Sequence, residues 1–157
     1  MMASKSILAL TMLTLLVGTP VFAAESPLTL RIDGRPASHD KTVARLRDGV
    51  AYAEVVTLIR VFGGLISISK TGVTATVGTH VARFRAGEKK ATIDGRQMTM
   101  AAAAFKEDGD LYVPLAFFVK NVVPGTKLRI DRADAIASLQ LRSPLLGVGA
   151  QSPLPSR

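Results

Sequence analysis

The apolar positions of this chain change period several times, and each change predicts an element. In 51–62, Val55, Leu58, Ile59 and Phe62 recur at helical spacing, and Gly63-Gly64 stops that helix. A second apolar stripe, Leu115, Phe118, Val119 and Val122, follows Pro114, which suits a first helical turn because its missing N–H costs nothing there. Between and after the stripes the pattern alternates. "LISIS" and "VTATV" are joined by "KTG", and "KLRI" and "IASLQL" by "DRADA", which predicts two antiparallel strand pairs. "TLRID" and "KATID" read as strands running into Asp-Gly turns, and "RQMTM" alternates out of the second.

The order of these parts occurs twice. "RIDGR" at 31–35 and "TIDGR" at 92–96 lie 61 positions apart, while Asp48-Gly49 and Asp108-Gly109 lie 60 apart, as do Tyr52 and Tyr112. An offset of 60 or 61 kept by several features in the same order points to internal duplication. The expectation is an α+β domain with antiparallel strands packed around helices, in two pseudo-repeats of strand, turn, helix and strand pair.

The ends of the chain read differently. Lys5 precedes the uncharged run "ILALTMLTLLVG" (7–18), Pro20 breaks it, and "VFA" (21–23) supplies the small residues of a cleavage site. That is the secretory pattern, so residues 1–23 are expected to be a signal peptide cut before Ala24. The run is shorter than the roughly 20 residues of a spanning helix. A single domain is expected over 24–142. The last stretch, 143–157, is aperiodic, holds Pro144, Pro153 and Pro155, and is expected to be a flexible tail. The resulting expectation is a secreted or periplasmic protein.

Composition then trims the list of functions. The chain has no cysteine, which excludes disulfide frameworks and cysteine metal sites. Its net charge is +8, and removal of Lys5 with the signal leaves +7, a balance that favours anionic neighbours. Aromatic residues are few and tryptophan is absent, which argues against stacking on sugars or single-stranded nucleic acid. No nucleic-acid partner is expected.

The residues "DGDLYVPLAFFVKNVVPG" (108–125) and "DGVAYAEVVTLIRVFGG" (48–64), with "VARFRAGEKKATIDGR" between them, resemble the copper amine oxidase N-terminal-like, or stalk, domain. The resemblance spans roughly 28–141, nearly all of the expected domain. It implies a non-catalytic module of small strands wrapped around helices. The chain departs from the family pattern at Glu54, where proline is usual, and at Val123, where glycine usually ends the second helix. Val56 and Ala116 stand where an arginine commonly follows Val-Pro-Leu, so a function carried by that arginine does not transfer.

Catalytic readings find little support in the residues. The resemblance assigns copper oxidase chemistry to a separate, larger domain with three histidine ligands and a tyrosine-derived quinone, whereas this chain has only His39 and His80. A copper-handling alternative rests on Met98 and Met100, which share a strand face and offer two thioethers, together with a histidine; methionines also simply fill core gaps. Asp33 and Asp94 mimic a carboxylate pair, but aspartate before glycine is the ordinary turn residue. No serine stands in a glycine-flanked elbow and no glycine loop fits a phosphate. No enzyme activity and no cofactor are expected.

One segment exceeds background. Within 80–96, Arg83, Arg85, Lys89, Lys90 and Arg96 face only Glu88 and Asp94 in sequence. As a strand, 80–86 turns Ala82, Phe84 and Ala86 to the core and Arg83 and Arg85 outward, with Lys89 and Lys90 supplied by the "GEKK" turn. These five residues are the candidate surface for an anionic polymer or an acidic protein of the cell envelope. Exposed strands also carry basic residues simply to prevent edge pairing. A third reading is an accessory or inhibitor of an envelope enzyme, engaged through the apolar "PLLGVG" (144–149).

Overall fold

The computed structural model describes residues 25–39 and 41–142. The expected signal segment and tail lie outside those residues. The first strand, β1 (Glu25–Ile32), divides its pairing. Its leading half runs antiparallel to β3 (Ala44–Arg47), and its trailing half pairs with the short β2 (Arg35–Pro36). β4 (Val50–Glu54) returns beside β3 and leads directly into α1 (Val55–Val61). A meander follows: β5 (Leu65–Ile68), β6 (Gly72–Val77), β7 (His80–Arg85), β8 (Lys90–Ile93) and β9 (Arg96–Thr99) form a five-stranded antiparallel sheet in that order.

The chain then rejoins the first sheet. β10 (Phe105–Glu107) and β11 (Asp110–Pro114) form a hairpin, α2 (Leu115–Asn121) follows, and β12 (Lys127–Asp131) and β13 (Ile136–Gln140) form another. The larger sheet runs β10-β11-β4-β3-β1-β13-β12. It is antiparallel except that β13 lies parallel to β1, with Thr29 opposite Ile136 and Ile32 opposite Leu139. That parallel pair was not in the expectation. Nothing in local alternation specifies which distant strand a free edge will accept.

Aspartate-glycine turns shape four hairpins. Asp33-Gly34, Asp48-Gly49, Asp94-Gly95 and Asp108-Gly109 all place both residues at positive φ, the conformation of a type I′ turn. The twist of such a turn matches that of the strands it joins. Gly63, at φ +68, ends α1 as expected, and the N–H of Gly64 donates to the carbonyl of Ile59.

The two helices are seven residues each and have no side-chain N-cap bond, so they would not persist alone. They are held by packing. α1 touches β4 and β11 of one sheet and β5 and β6 of the other, while α2 packs on β4, β11 and β12. Val55, Leu58 and Ile59 are buried on α1, and Leu115, Phe118 and Val119 on α2, which is the expected pair of stripes. The helix over 51–62 is shorter than the apolar pattern implies: residues 50–54 are strand. Phe84 of β7 enters the same core and meets Phe117 and Phe118 with ring centroids 6.4 and 6.2 Å apart.

Where β4 meets β11, the register is centred on Ala53 and Val113. Tyr112 stands opposite Glu54 and Pro114 opposite Tyr52, so each strand delivers the chain into its own helix from opposite directions.

Candidate functional site

The outer face of the five-stranded sheet is where three of the five candidate basic residues converge. In β7 the alternation buries Ala82 and Phe84 and exposes Val81, Arg83 and Arg85. Cross-strand register extends this into a polar row. Arg83 faces Thr74 on one side and Thr92 on the other, and Thr92 in turn faces Gln97. Directly opposed side chains on one face lie within reach of each other.

Arg83, Arg85, Glu88, Lys90, Thr92 and Gln97 line a cleft of about 220 Å³. Arg85 meets Glu88 at 3.8 Å, with both side chains about half exposed or more, a contact that neutralises little. The remaining ion pairs among the described residues involve Lys41, Arg45 and His80 rather than Arg83 or Lys90. Two guanidinium forks and an ammonium group beside hydroxyl and amide donors suit carboxylate or phosphate oxygens. The lining of the cleft is charged and polar throughout, which fits the oxygens of an anionic partner better than an apolar small molecule.

Two of the five candidate residues stand apart from that cleft. Lys89 is exposed in the preceding turn, where its carbonyl accepts the N–H of Met100. Arg96 pairs opposite Ile93, whose side chain is buried, so it shares the core-side face at the sheet edge and is exposed there. The turn and the alternation along β9 separate them from Arg83, Arg85 and Lys90.

The "IDGR" aspartates do more than turn the chain. Asp94 accepts a hydrogen bond from the N–H of Val81 at 2.8 Å and meets His80 Nδ1 at 2.7 Å. The histidine contact, then the backbone bond, hold the Asp94 carboxyl below the ordinary aspartate range. Asp33 makes the matching contact: its Oδ1 accepts from the N–H of Leu141 at 2.9 Å, while its own N–H donates to the carbonyl of Leu139. Each carboxylate thus ties its turn to the neighbouring strand. Sequence reasoning missed this. The available signal was that both turns place a side-chain acceptor at the same point of the repeat.

A second polar centre lies on the larger sheet. Glu54 is 2% exposed, the one buried charged residue among those described. Its Oε2 meets Lys41 Nζ at 2.9 Å and accepts from Thr57 Oγ1 at 3.0 Å; Lys41 also reaches Asp110 at 3.0 Å. The two carboxylates, Glu54 first, raise the Lys41 pKa. Around them Phe105 stacks on Tyr112, Arg45 lies over the Tyr112 ring and Arg47 over Phe105. Burial pushes the phenols of Tyr52 and Tyr112 up. The Lys41 pair and the Thr57 bond satisfy Glu54, whereas Arg45 Nε is buried without a hydrogen-bond partner.

Another cleft, about 460 Å³, brings Ser38, His39 and Lys41 beside the start of β1 and Ala135. Its lysine is already engaged by Glu54 and Asp110. Met100 is 2% exposed and belongs to the core, while Met98 is more than a third exposed on β9, opposite Ala91. Among the described residues no cluster of three or more histidine, aspartate or glutamate side chains could hold a metal ion, and no helix is long and apolar enough to cross a membrane.

Compared with known proteins, residues 31–134 match the family described as copper amine oxidase N-terminal domain. Neither a curated protein nor a solved structure matches the chain.

Proposed function

Since that match covers more than half of its length, the chain belongs to the copper amine oxidase N-terminal domain family, and we propose that it works as a stalk-type binding or scaffolding module at the cell envelope. The family is non-catalytic by itself. On this reading the signal segment 1–23 is removed, the protein is secreted or periplasmic, and the tail 143–157 extends from a single domain. The domain is a duplication. The equal sixty-residue offsets support this, as does a β4–β11 register that exchanges Tyr52, Ala53 and Glu54 with Tyr112, Val113 and Pro114 about one centre.

The proposed contact is an anionic polymer or an acidic protein of the envelope, met by the outer face of the five-stranded sheet. One observation carries this: Arg83, Arg85 and Lys90 line a single cleft with a lone carboxylate, that of Glu88, among them.

The test is co-sedimentation of the chain from Ala24 to Arg157 with isolated cell-envelope fractions across a salt series. Arg83→Glu/Arg85→Glu runs beside Lys89→Glu/Arg96→Glu, which makes the same change in formal charge outside the cleft. Binding that falls steeply with salt and is lost only in the first variant supports the face. Equal loss in both variants reduces the effect to net charge, and retention in both removes the proposal.

A further inference from the structure

We infer that this protein self-associates through β5, a second copy adding its own β5 antiparallel so that the two five-stranded sheets become one. The sheet edges point to it. The larger sheet ends in β10, with Lys106 and Glu107, and in β12, with Lys127, Arg129 and Asp131; the smaller ends in β9, which carries Arg96. Charges on an edge deter strand addition. β5 is the exception: Leu65 to Ser69 is uncharged.

Its side chains are uncovered as well. Ile68 stands opposite buried Val73, on the core side of the sheet, yet it is 64% exposed. Leu65, on the opposite face, is 76% exposed. An isoleucine turned to the core side with nothing over it marks where the layer stops short.

The open edge has definite hydrogen-bonding groups. Ser69 N–H donates to the Gly72 carbonyl at 2.9 Å, which fixes the phase of the β5–β6 ladder. Bonding groups alternate in an antiparallel pair. Leu65 and Ser67 therefore turn theirs toward β6, and the N–H and C=O of Ile66 and Ile68 face outward.

The sequence selects the occupant. "LISIS" is symmetric about Ser67 over Ile66-Ser67-Ile68. A two-fold axis there sets Ile66 against the second copy's Ile68, and Ile68 against its Ile66, with all four on the core side. Both pairs exchange their free backbone groups. A strand of unrelated sequence needs no such symmetry. Charge agrees: two chains of net charge +7 from Ala24 onward repel wherever their basic surfaces meet, and β5 is the edge where identical copies approach without that cost. A four-residue strand pair falls short of the ~1,200 Å² of a stable interface, so the dimer is expected to dissociate on dilution.

The register gives a direct test. Ser67 would oppose its own copy in a non-hydrogen-bonded pair, where Cα atoms lie about 4.5 Å apart, close enough for a disulfide. The chain has no cysteine to interfere. Oxidised Ser67→Cys is expected to give a cross-linked dimer. Gln97→Cys, exposed on the far edge strand β9, is not. Adding Ile68→Lys to Ser67→Cys, or Leu65→Lys should the first fold poorly by circular dichroism, is expected to abolish the cross-link. Sedimentation velocity of the unmodified chain from Ala24 to Arg157 should show its mean mass rising with concentration. A monomer at every concentration overturns the inference. So does a Gln97→Cys variant that cross-links as readily as Ser67→Cys, or a dimer indifferent to lysine on β5.

Discussion

Lys41→Met tests the energetics of the larger sheet, because the two members of its buried ion pair are unequally exposed. The Glu54 side chain is 3% exposed and that of Lys41 51%. Stranding a fully buried charge costs about 3–5 kcal/mol, and breaking an exposed pair about 0.2–1 kcal/mol. Lys41→Met leaves the Glu54 carboxylate buried with the Thr57 hydroxyl, so about 2–3 kcal/mol is expected, between those limits. Glu54→Gln keeps the shape and leaves a lysine that still has water and Asp110. Its cost should be nearer ~1 kcal/mol.

The double variant follows from the same reasoning. With no buried carboxylate to strand, Lys41→Met/Glu54→Gln should cost about 1–1.5 kcal/mol, less than Lys41→Met alone. A loss of about 2 kcal/mol lowers Tm by about 6–10 °C in a domain of this size. Urea unfolding at neutral pH followed by far-UV circular dichroism reads all four chains, since there is no tryptophan to follow. Additive single costs, or a Lys41→Met change smaller than that of Glu54→Gln, would refute the assignment of the penalty to the buried carboxylate.

Two further outcomes follow from the turns and the small sheet. Because the Asp94 pKa is lowered in the folded state, its stabilisation is present above the unfolded value, about pH 4, and disappears as pH falls through the folded one. Asp94→Asn should therefore lose part of the acid dependence of the urea midpoint, and an unchanged pH profile would count against the His80–Asp94 contact. Gly72→Ala would set a Cβ 2.1 Å from the carbonyl oxygen of Phe84, a backbone clash that no rotamer relieves. Its thermal midpoint should drop well below that of Gly78→Ala, where a Cβ meets nothing within 4 Å and the cost is limited to the left-handed backbone at φ +58.

Local chemistry carried most of the elements in the sequence. Asp-Gly pairs set the hairpins, and the spacing of Leu115, Phe118 and Val119 defined α2, because turn conformation and amphipathic period are properties of a few adjacent residues. What stayed hidden depends on distant partners. Glu54 stands out in the sequence only as a departure from the family pattern, and its buried pairing depends on Lys41, 13 positions away. β10, at three residues, is too short to show an alternation, the alternating Ala44-Arg45-Leu46-Arg47 of β3 is masked by its polar surroundings, and the parallel seating of β13 on β1 has no local signature. The candidate surface divided for a simple reason. Sequence proximity grouped Lys89 and Arg96 with Arg83, Arg85 and Lys90, whereas strand parity sorts side chains by face.

The seating of β13 beside β1 has a temporal consequence. The strand that begins the domain is completed by the strand that ends it, and the N–H of Leu141 reaches back across 108 positions to Asp33. During synthesis the trailing half of β1 has no β13 to accept until the last hairpin has emerged. The larger sheet cannot close early. Such long-range closure slows folding and keeps the emerging chain open, the state in which a chain threads through a narrow channel before it acquires its shape.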